Sequence, residues 1–150
     1  MAKTPSMEKK TGFTTFEIVI GMAILVAIAG LAIGVDSNFY RTQSLVAERD
    51  SFSSALRTAR SQAMNNLDQA PHGVYIASNQ YTLFEGASYA SRNRDYDQVF
   101  NPSPGLFISG PAEVIFSQLD GNSNSSGTIV ISNGLSNLPI AINNEGRISW

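Results

Sequence analysis

Cysteine is absent from the 150 residues, which excludes disulfides, thiol catalysis and cysteine metal sites. It leaves an extracytoplasmic location open and requires any folded domain to be held by packing alone. There is one histidine, His72, and no lysine after Lys10. Charged residues make up only 15% of the chain. Between Pro5 and Pro71 there is no proline. No nucleophile–base pair, phosphate loop, paired-carboxylate motif or metal cluster can be read from the residues, so an enzyme is not expected and neither a cofactor nor a metal is assigned. His72 falls in the turn signal Gln69-Ala70-Pro71-His72-Gly73 and reads as a plain loop residue.

Hydrophobic residues reach 43%, enough for one ordinary domain with a core. The net charge is −2, which gives no bulk reason to expect nucleic acid. The apolar content is concentrated near the N-terminus. Residues 1–12 are polar and basic, with Lys3, Lys9 and Lys10. From Ile18 to Val35 there follow 18 residues without charge or proline, ten of them Ile, Leu or Val. As a helix this run is roughly 27 Å long at about 1.5 Å per residue, near the ~30 Å hydrocarbon core of a bilayer. Lysines on its leader side predict a cytoplasmic N-terminus and an exported remainder.

A cleaved secretory signal is one alternative, with Ile18–Val26 as its apolar region and Ala27-Ile28-Ala29 as a small-x-small site. A plain membrane anchor is another. Against the secretory signal, hydrophobicity continues past Ala29 to Val35 and an acid, Glu17, opens the apolar block.

The junction reads Lys9-Lys10-Thr11-Gly12-Phe13-Thr14-Thr15-Phe16-Glu17-Ile18-Val19-Ile20. It resembles the processing signal of type IV prepilins and type II secretion pseudopilins: a basic leader ending in Gly, then Phe, with Glu at the fifth position after the cut. Thr15 and Phe16 stand where the family commonly has Leu and an aliphatic residue. The resemblance implies cleavage after Gly12 by a prepilin peptidase, N-methylation of Phe13, and a mature protein that keeps its apolar helix. Residues 13–35 would then be the membrane-spanning and filament-core helix. A carboxylate in such an assembly is costly unless paired. The family's partner is the α-amine of a neighbouring subunit, here that of Phe13, so Glu17 would fix the register between copies. Gly30 and Gly34 lie late in this helix, where they either soften it or allow close helix packing as a small-x3-small pair.

Beyond the apolar run the helical period continues. Leu45, Phe52, Leu56, Ala59, Ala63 and Leu67 form one stripe at helical spacing. Arg41, Arg49, Arg57, Arg60, Glu48 and Asp50 fall off or beside it, and Ser53, Ser54, Ser61 and Asn65 are assigned to solvent. The pattern predicts an amphipathic helix over 36–70, continuous with the apolar one and reaching Leu67, roughly 80 Å in all. Its arginines alternate with acids and read as a solvated face.

Residues 71–150 predict a β-rich head. Val74–Ala77 and Gln80–Phe84 form a hairpin around Ser78-Asn79, and residues 86–98 a polar loop. Strands are expected at Leu106–Ile108, Val114–Phe116, Thr128–Ile131, Ile140–Ile142 and Arg147–Trp150, with a turn at Asn133-Gly134. The fold class is therefore α+β: a long N-terminal helix packed on an antiparallel sandwich or paired sheets.

Ala55–Ala63, Val114–Phe116, and Ile140–Ile142 followed by Gly146-Arg147-Ile148 resemble the GspH/FimT group of minor pseudopilins and minor pilins. Together the resemblances imply a pilin-like fold and a minor subunit of a type II secretion system or type IV pilus. They imply a bacterial inner-membrane precursor with a periplasmic head, and as partners other pilins, the peptidase and an inner-membrane assembly platform. Some members bind DNA through a C-terminal Gly-Arg-x-Arg. Here Gly146-Arg147-Ile148-Ser149 keeps only the first arginine, so Arg147 is the candidate DNA contact. From Asp36 on the chain carries seven arginines and ten acids, which disfavours nucleic acid. Asp120-x-Asn122-x-Asn124 has calcium-loop spacing, but Ser125 and Ile131 stand where the Gly and Glu of such loops belong. It reads as a hairpin loop. A secreted β-sandwich binding domain with a removed signal peptide is the alternative from a different class.

Overall fold

The computed structural model describes residues 12–33, 37–77 and 79–150 of an α+β protein. The chain divides into two units, Met1–Ser37 and Asn38–Trp150. In the first, helix α1 covers Thr15–Ile33 and carries one charged residue, Glu17. Its large apolar side chains from Phe16 to Ile28 are exposed, from Phe16 at 73% to Ile20 at 43%. The last two residues of the predicted apolar run, and the predicted continuity of one helix through 34–36, lie outside the described residues. Among the described residues no helix is long and apolar enough to cross a membrane.

In the second unit, helix α2 spans Ser37–Met64. The predicted stripe is its buried face: Leu45, Phe52, Leu56, Ala59 and Ala63 are all at or below 1% exposure. Leu67, assigned to the same stripe, is exposed because the helix stops three residues earlier. Asn66 takes left-handed backbone (φ 55°), which asparagine tolerates better than most residues, and its N–H donates to Ala63 O at 3.0 Å. Two side chains assigned to solvent or to its border are buried: Ser53, whose hydroxyl has no partner among the described residues, and Glu48, which accepts from Ser103 N–H at 3.4 Å.

Eight strands follow: β1 His72–Ala77, β2 Gln80–Glu85, β3 Asn93–Phe100, β4 Phe107–Ser109, β5 Glu113–Phe116, β6 Gly127–Ser132, β7 Asn137–Ile142 and β8 Ile148–Ser149. They form two antiparallel four-stranded sheets, ordered β3-β2-β1-β5 and β4-β6-β7-β8. The β1–β2 hairpin has the predicted register, with Ala77 opposite Gln80 across a two-residue loop. At the predicted Asn133-Gly134 turn, Asn133 Oδ1 accepts from Leu135 and Ser136 N–H, and Gly134 has positive φ.

Three expectations are corrected. His72 is the first residue of β1 and only 3% exposed, not a loop residue. The second half of 86–98, read as a polar loop, is strand: Asn93–Phe100 pairs with β2 as an edge strand. Its Arg94, Asp95 and Asp97 hide the alternation that marks strands, and charge on an edge discourages pairing with other chains. The loop after β5 does not join two paired strands, because β5 and β6 belong to different sheets; the chain turns back only as far as an antiparallel bridge between Phe116 and Ser123.

Both sheets and α2 share one core. Val74, Ile76, Tyr81, Leu83, Val114 and Phe116 from the first sheet meet Ile129, Ile131, Ile140 and Ile142 from the second and the α2 stripe. Within it Tyr81 shares a hydrogen bond with Ser51 Oγ (2.9 Å), stacks on Phe100 and meets Phe52 edge-on. The other face of the first sheet is covered by the chain after β2. Tyr89 stacks on Tyr75 at 3.8 Å, and Arg92 lies over Tyr89 while bonding Asp97.

Burial pushes the Tyr81 phenol up to about 12, with the hydrogen bond from Ser51 opposing and the Glu48 carboxylate adding to the rise. The ordinary value is about 10. The unfolded chain therefore releases this proton first, and stability falls as pH rises. The contribution is complete below about pH 10 and is lost as pH passes through about 12. Urea titrations across this range are expected to show falling stability in the native protein and a flatter profile in Tyr81→Phe.

Candidate functional site

Helix α1 begins at Thr15, which makes Thr14 its N-cap and Glu17 its third residue. Glu17 Oε2 accepts from Thr14 N–H (3.0 Å) and Thr14 Oγ1 (2.9 Å), and Thr14 Oγ1 accepts from Glu17 N–H at 3.3 Å. This is a reciprocal capping box. Thr-x-x-Glu before an apolar run is its sequence signature, and Thr14-Thr15-Phe16-Glu17 carries it. Among the described residues Glu17 bonds only Thr14. Gly12 and Phe13, just before the cap, are exposed, and among the described residues no atom beyond its chain neighbours lies within 4 Å of where a Gly12 Cβ would sit. Among these residues nothing covers the peptide whose cleavage the prepilin resemblance implies.

The second candidate region is the C-terminal Gly-Arg. Arg60, expected on a solvated face, is half-buried and joins two loops to α2. Its Nε donates to Gly121 O (3.2 Å) and its Nη2 to Glu145 O (3.0 Å). Leu119 N–H donates to Ala63 O in the last turn of α2, and Ser123 N–H to Asn144 O. Gly146 sits in this junction with φ +70°; a Cβ there would lie 2.1 Å from Gly121 O and 2.9 Å from Arg60 Nε. Gly121, φ +65°, faces the Met64 side chain, which would lie 2.5 Å from a Cβ there and would have to move. Gly146, against backbone, accepts glycine alone.

Arg147 is exposed. With Arg57, Arg60, Ser61, Met64, Asn65 and Ile148 it lines an open groove of about 400 Å³ with three arginines and no acid. The Arg57 guanidinium lies 4.2 Å from the centre of the Trp150 ring. Sequence spacing names Arg147 alone. Arg57 and Arg60 join it because β8 runs back beside α2, a tertiary fact with no local signal.

The alternate oxygen side chains after β5 are spent within the chain. Both Asp120 carboxylate oxygens accept from Asn122, and Asn124 Oδ1 accepts from Ile115 N–H at 2.9 Å. Asp120 and Asn124 oxygens thus hold the crossover between the sheets.

Gly146→Ala is expected to destabilise the protein by roughly 2 kcal/mol or more, since left-handed backbone costs an L-residue about 1–2 kcal/mol before any clash. Arg147→Ala is expected to stay within about 0.5 kcal/mol. Urea unfolding of the two variants checks both.

Compared with protein-family models, curated proteins and solved structures, the chain matches none of them.

Proposed function

We propose that this chain is a prepilin-like subunit, a minor pseudopilin or minor pilin of a type II secretion system or type IV pilus. It would be cleaved after Gly12 and assembled through its N-terminal helix. The observation that carries this reading is the junction itself: a basic leader, Gly12-Phe13, and Glu17 at the head of an uncharged run from Ile18 to Val35. The exposed apolar surface of α1 supports it, because such a helix needs lipid or other copies to cover it. So does the coarse architecture, a helix with a buried stripe on paired antiparallel sheets. In this reading the greasy helix holds the filament together and Glu17 sets register against the Phe13 amine of a neighbour.

The capping box sharpens the test of Glu17. Glutamine also serves at this capping position, so Glu17→Gln keeps the helix start while removing the charge. Loss of assembly in Glu17→Gln with α1 intact is the expected result. Normal assembly would show that Glu17 matters only as a cap. Mass spectrometry of the processed protein is expected to find Phe13 at the N-terminus, one methyl group heavier. A chain starting at Gly30 would favour the secreted binding domain instead.

One observation favours a second reading, DNA uptake: Arg57, Arg60 and Arg147 line one groove without a carboxylate. Two or three phosphate contacts give weak, strongly salt-dependent binding. A gel shift with short duplex DNA is expected only at low salt and is expected to weaken in Arg57→Ala and Arg147→Ala. No shift at low salt removes DNA from the account.

A further inference from the structure

The turn from α2 into β1 and the rim of the first sheet bring together three side chains that the sequence scatters. Asp68 lies in the turn, His72 opens β1, and Glu85 closes β2 directly opposite His72 in the hairpin register. One ligand atom from each lies within 4.8 Å of the other two. His72 is 3% and Glu85 9% exposed, and Asp68 is open to solvent.

Among the described residues the buried Glu85 Oε2 has no hydrogen-bond partner. A carboxylate oxygen taken from water and left bare is costly, and such groups are normally bonded, paired or metal-bound. Among the described residues no salt bridge joins His72 to either acid. The imidazole is already oriented: its Nδ1 lies 3.1 Å from Ala70 O. A carbonyl can only accept, so Nδ1 carries the proton and Nε2 keeps the lone pair. A backbone carbonyl holding one ring nitrogen is the usual arrangement behind a metal-bound histidine.

We propose that Asp68, His72 and Glu85 form a binding site for a divalent transition-metal ion, with zinc the best-fitting member. Two carboxylates and a neutral imidazole offer a charge of −2, matched to a divalent cation. The imidazole selects zinc-like ions over calcium and magnesium, which prefer oxygen. Tetrahedral zinc ligands at about 2.0–2.2 Å from the metal sit roughly 3.4 Å apart, so small side-chain rotations bring the three donors into place. Three protein ligands leave a fourth position for water, on the open Asp68 side. The bound ion ties the α2–β1 turn to the sheet rim.

The test uses the full chain without a histidine tag, in mild detergent, with zinc chloride as probe and calcium chloride as control. His72 is the sole histidine, so its ring nitrogens report on this site alone. Zinc is expected to bind in one saturable step and to shift the Nε2 resonance while Nδ1 keeps its proton. Calcium is expected to leave the ring unchanged. Glu85→Gln and Asp68→Asn preserve side-chain size and are each expected to weaken zinc binding roughly tenfold or more. Excess zinc that leaves the His72 resonances in place overturns the site, as does unchanged affinity in both variants. If a variant fails to fold, the ring shift in the native protein decides the matter.

Discussion

The head depends on one surface, the apolar stripe of α2. Its two sheets exchange no strand-to-strand ladder with each other, so hydrogen bonding alone leaves them separate. Phe52, Leu56, Ala59 and Ala63 supply the surface against which residues of both sheets are buried. Ala59 and Ala63 are fully buried on the stripe, and Phe52 meets Tyr81 edge-on. Burying a large apolar side chain is worth about 1.5–3 kcal/mol. In a chain without disulfides, that repeated contribution is what offsets the ordering of a strand-rich domain.

A second, polar constraint acts at the end of the same helix. Arg60 gives its donors to Gly121 and Glu145 carbonyls, and the loop after β5 donates back to Ala63 O. One cation therefore satisfies carbonyls of two loops that would otherwise end in solvent. Gly146 follows from this: the loop approaches Arg60 and Gly121 too closely for any side chain. The Gly-Arg pair thus splits into a packing residue and an exposed cation. A resemblance to a ligand-binding motif can rest on glycine placement alone, and the proposed DNA contact would rest on Arg147 and its two groove neighbours.

The N-terminal junction shows a comparable division of labour. Glu17 is at once the third residue of a capping box and, in the proposed assembly, a charge for a neighbour's amine. The two roles are compatible because capping holds the carboxylate at the helix start, next to the residue whose amine it would meet in another copy. The helix start and the proposed cleavage point would then be set by neighbouring residues, Gly12 through Thr14.

Much of the fold is legible in the residues themselves. The stripe from Leu45 to Ala63, the β1–β2 hairpin, the Asn133-Gly134 turn and the last hairpin all follow from period, turn chemistry and β-branched runs, which are local properties. β3 is not legible, because an edge strand rich in Arg and Asp has no alternation to read. Nor is the early stop of α2, since Leu67 keeps the helical period and only left-handed backbone at Asn66 ends the helix. The capping box at Thr14 and Glu17 is written in the residues, though a carboxylate next to an apolar run suggests partners before it suggests caps. What tertiary structure alone decided is which distant polar groups meet: Arg60 with two loop carbonyls, Arg57 with Trp150, and His72 with Glu85 and Asp68. Sequence specifies the period of an element and the chemistry of its turns, but pairing across sheets and loops is set by how the shared core closes, and no local pattern encodes that.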